Sequence, residues 1–316
     1  EGLKTNLFLF LCCVPHMDKN LESKMNQVLK MVNPKARPHF KTAVEKMEEL
    51  NQTKEQRSRK EVVAQLQQAR KWFLKAEEHL NNAKILFEKN SYPMGVQSLA
   101  YSIELLTKGH SIIQYDFGEE IFRKVSHRTP KIFFEAARKP DSIVIREMLE
   151  KSRKIKFDEP DAAEKKVFEK ANEIKILHAN EKDILELIRI VEKIKKQMAI
   201  AEPQMNKFIQ KIADVFKEDI SRKEVNALKD FFKNYKPKHF ATSYVLFLLA
   251  YVLFPHKYHT TYPDETINYN ENLGIVKARE PLIKVVREEI DSAKELLTYF
   301  EDAAKNMPIT PTPPTV

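Results

Sequence analysis

Glycine is scarce in this chain, which contains only five glycines in 316 residues. Loops that cradle phosphates and tight β-hairpins usually need glycine, because it alone adopts left-handed backbone conformations at little cost. The sequence has no glycine-rich phosphate loop, no G-x-S-x-G elbow, no CxxC pairs and no H-E-x-x-H motif. A conventional NTPase, serine hydrolase, zinc finger or zincin is therefore disfavoured.

Cysteine is almost absent as well. Cys12 and Cys13 are the only two, and they are neighbours near the N-terminus. A framework of structural disulfides is thus missing, which favours a reducing compartment, and we expect a cytoplasmic protein. We also expect neither a cofactor nor a bound metal.

Long hydrophobic runs are missing too. Leu7–Val14 is apolar but short for a secretory signal. We interpret residues 1–17 as an extension, with Met17 as the natural start, and a signal peptide remains the alternative. Phe240–Phe254 falls short of the roughly 18 to 20 residues that span a bilayer. It predicts a buried core helix, and we expect no membrane association.

Charged residues are abundant, at 31% of the chain, and the formal net charge is +9 with a pI of about 9.2. Many lysines, glutamates, leucines and alanines with few glycines are typical of an all-α protein. The basic excess permits an acidic partner such as nucleic acid without requiring one.

The clearest periodic pattern predicts an antiparallel hairpin of two long helices between Val62 and Ile113. Asn90–Pro93 separates the two helices with a cap and a proline. Apolar residues three and four positions apart indicate the buried stripe of each helix. In the first helix they are Val62, Leu66, Ala69, Phe73, Ala76, Leu80, Ala83 and Phe87; in the second they are Val96, Leu99, Ala100, Ile103, Leu106 and Ile112.

The other patterns also predict helices. Two amphipathic stretches form an N-terminal appendage over 18–53, and a short helix is expected over 119–125. Residues 141–236 are charge-rich and predict an inserted helical hairpin, with one long helix over 162–198. Residues 276–304 form a closing helix, and the proline-rich 307–316 is predicted to be a disordered tail.

The hairpin sequence "ARKWFLKAEEHLNNAKILFEKNSYPMGVQSLAYSIELLTKGHSII" resembles the opening hairpin of HEPN domains. His127 matches a histidine that follows a short element in that family, and the Tyr262-Pro263-Asp264 sequence with Tyr269 matches a late loop. The similarity covers about 60–140 and 238–304. It implies an all-α antiparallel bundle whose domain is discontinuous, over 54–140 plus 237–306.

HEPN ribonucleases commonly use an arginine and a histidine separated by four to six residues, because arginine binds the scissile phosphate and histidine moves protons. Arg123 and His127 come nearest to this pattern, with three residues between them. They would share a helical face if the helix continued that far. We take both as candidate catalytic residues, although the spacing departs from the family pattern and structural roles are sufficient to explain both.

Candidate ligand-binding residues lie in two further places. Glu104 and Lys108, in the "IELLTK" segment that resembles the family motif, have the i, i+4 spacing of a helical ion pair. If exposed, the pair is structural; if buried, it becomes a polar core element or a ligand contact. The second place is a polar, aromatic segment, predicted as a loop near His127, that can stack bases and contact phosphates. It contains His256, Lys257, Tyr258, His259 and Tyr262.

The resemblance implies an RNA- or nucleotide-binding protein in a toxin, defence or stress system, similar to abortive-infection branches of the family, and a homodimer. One alternative is a non-catalytic scaffold or regulatory subunit that binds a protein such as a nucleotidyltransferase. A second is a degenerate, metal-independent ribonuclease. Because the family's spacing between arginine and histidine is absent, the sequence favours RNA or nucleotide binding and the scaffold over the ribonuclease.

Overall fold

The computed structural model describes residues 59–138, 177–200, 236–262 and 267–305. Within these ranges 85% of the residues are helical and no strand occurs. The predicted all-α helical bundle is therefore confirmed.

The chain divides into two compact units. The larger contains 57–139, 145–194 and 241–316, whereas the other contains only 195–200 and 236–240 of the described residues. All of the packing described below lies within the larger unit.

The predicted hairpin is the centre of this unit. Helix α1 runs from Arg59 to Glu88 and helix α2 from Tyr92 to Tyr115, and the two pack along one another. Asn90, with φ of 56°, turns the chain between them. The predicted stripe of α1 is buried from Leu66 to Phe87, as is that of α2 from Val96 to Ile112. The spacing of apolar residues thus places both helices correctly.

Two short helices follow. Helix α3 is Glu119–Val125, as predicted, and helix α4 is Lys131–Arg138. Ser126, with φ of 53°, ends α3. Because α3 stops before His127, Arg123 and His127 do not share a helical face, and the geometry on which their pairing depended is absent.

Helix α5 spans Glu181–Ile200. The prediction of one unbroken helix over 162–198 is wrong, because residues 178–180 are not helical. Asn180 caps α5 through a reciprocal pair: its side chain accepts from the Asp183 backbone N–H at 3.0 Å, and its own N–H donates to the Asp183 carboxylate at 3.1 Å. Ile184, Ile188 and Val191 belong to the same core as α1, so this part of the predicted insertion packs into the bundle.

Helix α6 spans Lys236–Thr261 and contains Pro255. The loop predicted after Phe254 is wrong: the helix continues for two more turns. Proline is unfavourable inside a helix because it lacks an N–H and crowds the preceding turn. Here Pro255 and His256 are buried, and tertiary packing overrides the local preference.

The last helices close the bundle. Helix α7 is Gly274–Lys277 and helix α8 is Arg279–Lys305, and α8 packs against α1 and α2. Glu77 of α1 accepts from Arg287 at 2.8 Å and from Lys294 at 2.7 Å, which adds ion pairs to the apolar contact.

Among the described helices, none has the length and apolar character required to cross a membrane. The N-terminal helices predicted over 18–53, the insertion over 141–176 and 201–235, the tail over 307–316, and Pro263 and Asp264 lie outside the described residues. The predicted domain boundaries remain predictions.

Candidate anion-binding site

One face of α2 is polar, and its second half is buried. Gln97, Tyr101, Glu104 and Lys108 recur at intervals of three and four residues and so lie on the same side of the helix. The C-terminal end of α6 packs across this face, since Gln97 donates to Thr261 at 3.1 Å and Lys257 reaches Glu104. Two elements distant in sequence therefore bring together the polar residues that carry the site.

Glu104 is the centre of the site and its side chain is 2% exposed. One carboxylate oxygen accepts from Lys108 Nζ at 2.7 Å and lies 3.2 Å from His127 Nδ1. The other oxygen accepts from Lys257 Nζ. We call Glu104, Lys108, His127 and Lys257 the Glu104 cluster.

Two aromatic rings support the two ammonium groups. Lys257 Nζ lies 4.0 Å from the centroid of the Tyr101 ring, and Lys108 Nζ lies 5.6 Å from that of Trp72. A cation over an aromatic face is stabilised by the negative face of the ring. The site residues predicted from the sequence include neither of these two rings. Tyr101 was detectable, because it lies one turn before Glu104 on the same face, whereas only the tertiary structure brings Trp72 to Lys108.

For both Glu104 and Lys257, burial shifts the pKa in one direction and the neighbouring opposite charge shifts it in the other. Burial raises the pKa of Glu104, but Lys257 and Lys108 more than offset this, and the net pKa is below its ordinary value. Burial lowers the pKa of Lys257, and Glu104 opposes that change. With Glu104 ionised, two ammonium groups face one carboxylate, which leaves one unit of positive charge.

His127 is the part of the cluster that is open to solvent. Its side chain is 68% exposed, whereas those of Lys108 and Lys257 are 9% and 6% exposed. Its Nδ1 lies 3.2 Å from both Glu104 Oε1 and Lys257 Nζ. Both of these contacts use Nδ1, and neither involves the other ring nitrogen, Nε2.

The segment around His127 is basic. No acidic residue occurs over 121–134, where the basic side chains are Arg123, Lys124, Arg128 and Lys131. Lys124 is held by Glu135 at 2.9 Å, while Arg123 is exposed on α3. His127 therefore belongs to a segment of the chain whose charged side chains are all basic.

Tyr258 and Tyr262 form an exposed aromatic pair at the end of α6. Their ring centroids are 5.3 Å apart, and both side chains are more than half exposed. At 100° per residue, they lie on the helical face next to that of Lys257 and Thr261. Lys257 therefore contacts His127, whereas the two tyrosines lie on the neighbouring face of the helix.

The two histidines of the same helix do not join the cluster. His256 is fully buried, with its Nδ1 3.2 Å from the Tyr269 hydroxyl, and burial lowers its pKa to about 3. His259 is half-buried and its ring packs edge-on against Tyr258. Within the described residues, no three His, Cys, Asp or Glu side chains converge so that they could hold a metal ion.

No family model, no curated protein and no solved structure matches this chain. The chemistry of the cluster follows from its own side chains. Two buried ammonium groups and an exposed imidazole beside one carboxylate favour an anion at the open edge, since the ammonium groups, and the imidazole when it is protonated, can donate charge-assisted hydrogen bonds.

Proposed function

We propose that this protein binds RNA or a nucleotide, with a phosphate held at the open edge of the Glu104 cluster. The observation that carries the proposal is the imbalance of charge: Glu104 faces both Lys108 and Lys257, and His127 covers the carboxylate from the solvent side. A phosphate supplies the missing negative charge, and hydrogen bonds from cations to phosphate oxygens are among the stronger ones in proteins.

Two neighbouring features support a nucleic-acid ligand over an isolated anion. Arg123, exposed on α3 in the acid-free segment over 121–134, is a further cation that can contact a phosphate backbone. Tyr258 and Tyr262 supply exposed rings, on which unpaired bases stack with little dependence on sequence. The resemblance of the α1–α2 hairpin to HEPN domains favours the same class of ligand.

The test is equilibrium binding of a short fluorescent single-stranded RNA, followed by anisotropy at low salt. We expect Lys257→Gln to weaken binding by at least about tenfold, because a charge-assisted contact to phosphate is worth about 1.4 kcal/mol or more. Lys305→Gln is the matched control: it removes the same charge from an exposed i, i+3 pair with Asp302 and should leave the affinity nearly unchanged. Affinity should fall as salt rises.

Other outcomes would identify the competing functions. A failure to bind RNA or nucleotides at low salt, together with recovery of a stable protein complex from cells, would support a scaffold. Cleavage of the RNA, visible on a gel, would support a metal-independent ribonuclease. If cleavage persisted in Arg123→Ala and His127→Ala, neither residue would be catalytic.

We propose the setting that the HEPN resemblance implies: a cytoplasmic homodimer in a toxin, defence or stress system. A nucleotidyltransferase is the protein partner that this setting favours.

A further inference from the structure

His127 differs from the rest of the Glu104 cluster in two ways. It is the solvent-exposed member, at 68%, and histidine is the side chain whose charge ordinarily changes between pH 5 and 8. Its Nδ1 is within 3.2 Å of a carboxylate oxygen and of an ammonium nitrogen. Either neighbour can form a hydrogen bond with Nδ1, which leaves Nε2 to contact a ligand.

Protonation makes both nitrogens donors. The imidazolium donates from Nδ1 to Glu104 and from Nε2 to an incoming phosphate oxygen. It also raises the charge of the cluster from one positive unit to two. In the neutral form with hydrogen on Nδ1, Nε2 presents a lone pair to the phosphate, which is unfavourable. In the neutral form with hydrogen on Nε2, Nδ1 accepts from Lys257 and Nε2 donates to the phosphate, but the ring adds no positive charge.

We infer that anion binding at the Glu104 cluster is coupled to proton uptake by His127, so that the site holds RNA more tightly at mildly acidic than at mildly alkaline pH. This inference rests on the proposed function. By linkage, a phosphate that favours the imidazolium must bind more tightly when the imidazolium is already formed.

His127 contacts Glu104 on α2 and Lys257 on α6, and Glu104 also holds Lys108. The charged groups next to His127 in the sequence are Arg123, Arg128 and Lys124, the last of which is paired with Glu135. His79 on α1 approaches the cluster through Tyr101. Among these, His79 is the other histidine, and its ring stacks on Tyr101 at 5.4 Å between centroids. It is therefore the necessary control.

The experiment measures the affinity for a short oligouridylate with hydroxyl ends between about pH 6 and 8.5, at constant ionic strength. Hydroxyl ends matter because a terminal phosphate changes its own charge near pH 6. We expect the dissociation constant to rise with pH, at most about tenfold per unit, as for uptake of one proton. Calorimetry in buffers of different ionisation enthalpy should give a matching proton uptake, and circular dichroism checks folding at each pH.

Three variants assign the proton. His127→Gln should bind weakly at every pH, and His127→Lys, which stays charged, should bind tightly at every pH. His79→Gln should keep the wild-type profile. Binding that is independent of pH in the wild type, or a pH dependence that survives in His127→Gln, would overturn the coupling while leaving RNA binding intact. Absence of binding at all pH values would overturn the proposed function, and the coupling with it.

Discussion

At the scale of single residues, one carboxylate organises the site. Glu104 contacts Lys108, Lys257 and His127, and removing it leaves two ammonium groups with side chains less than a tenth exposed and no counter-charge. Removing one lysine leaves the carboxylate with another cation. The two kinds of substitution should therefore differ in cost.

We predict that Glu104→Gln lowers the free energy of unfolding by about 3 kcal/mol, because breaking a buried ion pair leaves uncompensated charge in a poorly solvated place. Lys257→Met should cost less, since Lys108 still neutralises Glu104 and the thioether can pack on Tyr101. Urea unfolding of both variants measures the difference. Equal losses would show that Glu104 does not balance both lysines.

Part of this site was predictable. The i, i+4 spacing indicates the Glu104–Lys108 pair, and the expectation that Lys257 lies near His127 is confirmed, with 3.2 Å between Nζ and Nδ1. What spacing could not show is that the pair is buried, because burial depends on α6 covering α2. The contact of Trp72 with Lys108 was equally hidden, since it depends on how α1 packs on α2.

At the scale of helices, the structure differs from the sequence-based prediction at two points. Pro255 predicts a break, yet α6 continues to Thr261. The sequence also predicts one helix over 162–198, yet residues 178–180 are not helical. Residues 179–181 closely approach the start of α7. A Cβ added to Gly274, at the start of α7, would lie 2.7 Å from the Glu181 backbone nitrogen and nearer still to the Ala179 carbonyl oxygen.

We predict that Gly274→Ala lowers the free energy of unfolding by about 2 to 3 kcal/mol, because backbone atoms cannot move aside as a flexible side chain can. Gly118→Ala is the matched control. A Cβ there would meet nothing within 4 Å, and the change should cost less than about 1 kcal/mol, because alanine is less favourable than glycine at the N-cap of α3 but also restricts the unfolded chain. Chemical denaturation of both variants tests this. A Gly274→Ala protein as stable as the wild type would mean that α7 and the start of α5 can separate.

At the scale of the whole molecule, the core joins segments that are far apart in sequence and encloses two histidines. His110 of α2 bonds Ser243 of α6 at 2.9 Å, and His256 faces Tyr269. Burial lowers the pKa of each to about 3. In the unfolded chain both titrate near 6.5, so below that pH the unfolded state binds protons that the native state does not.

We therefore predict that stability is retained above about pH 6.5 and falls as the pH drops, by up to about 2.7 kcal/mol per unit for two histidines. Urea unfolding between about pH 5 and 6.5 isolates this effect from the carboxylates, which titrate lower. His256→Gln should halve the slope, whatever it does to the absolute stability. A slope that is unchanged in this variant would contradict the assignment to His256.

The sequence by itself determined the helical class and the positions of the main helices. Few glycines and apolar residues at a period near 3.6 are local properties, and they place α1, α2, α3 and much of α8 without knowledge of their partners. The tertiary structure alone decided that Lys257 joins Glu104 and that the Glu104–Lys108 pair is buried. Lys257 contacts Glu104 although 153 positions separate them in the chain, because α6 continues through Pro255 and places Lys257 over α2. The physical reason is that periodicity records which face of a helix is buried, whereas the identity of what covers that face depends on long-range packing.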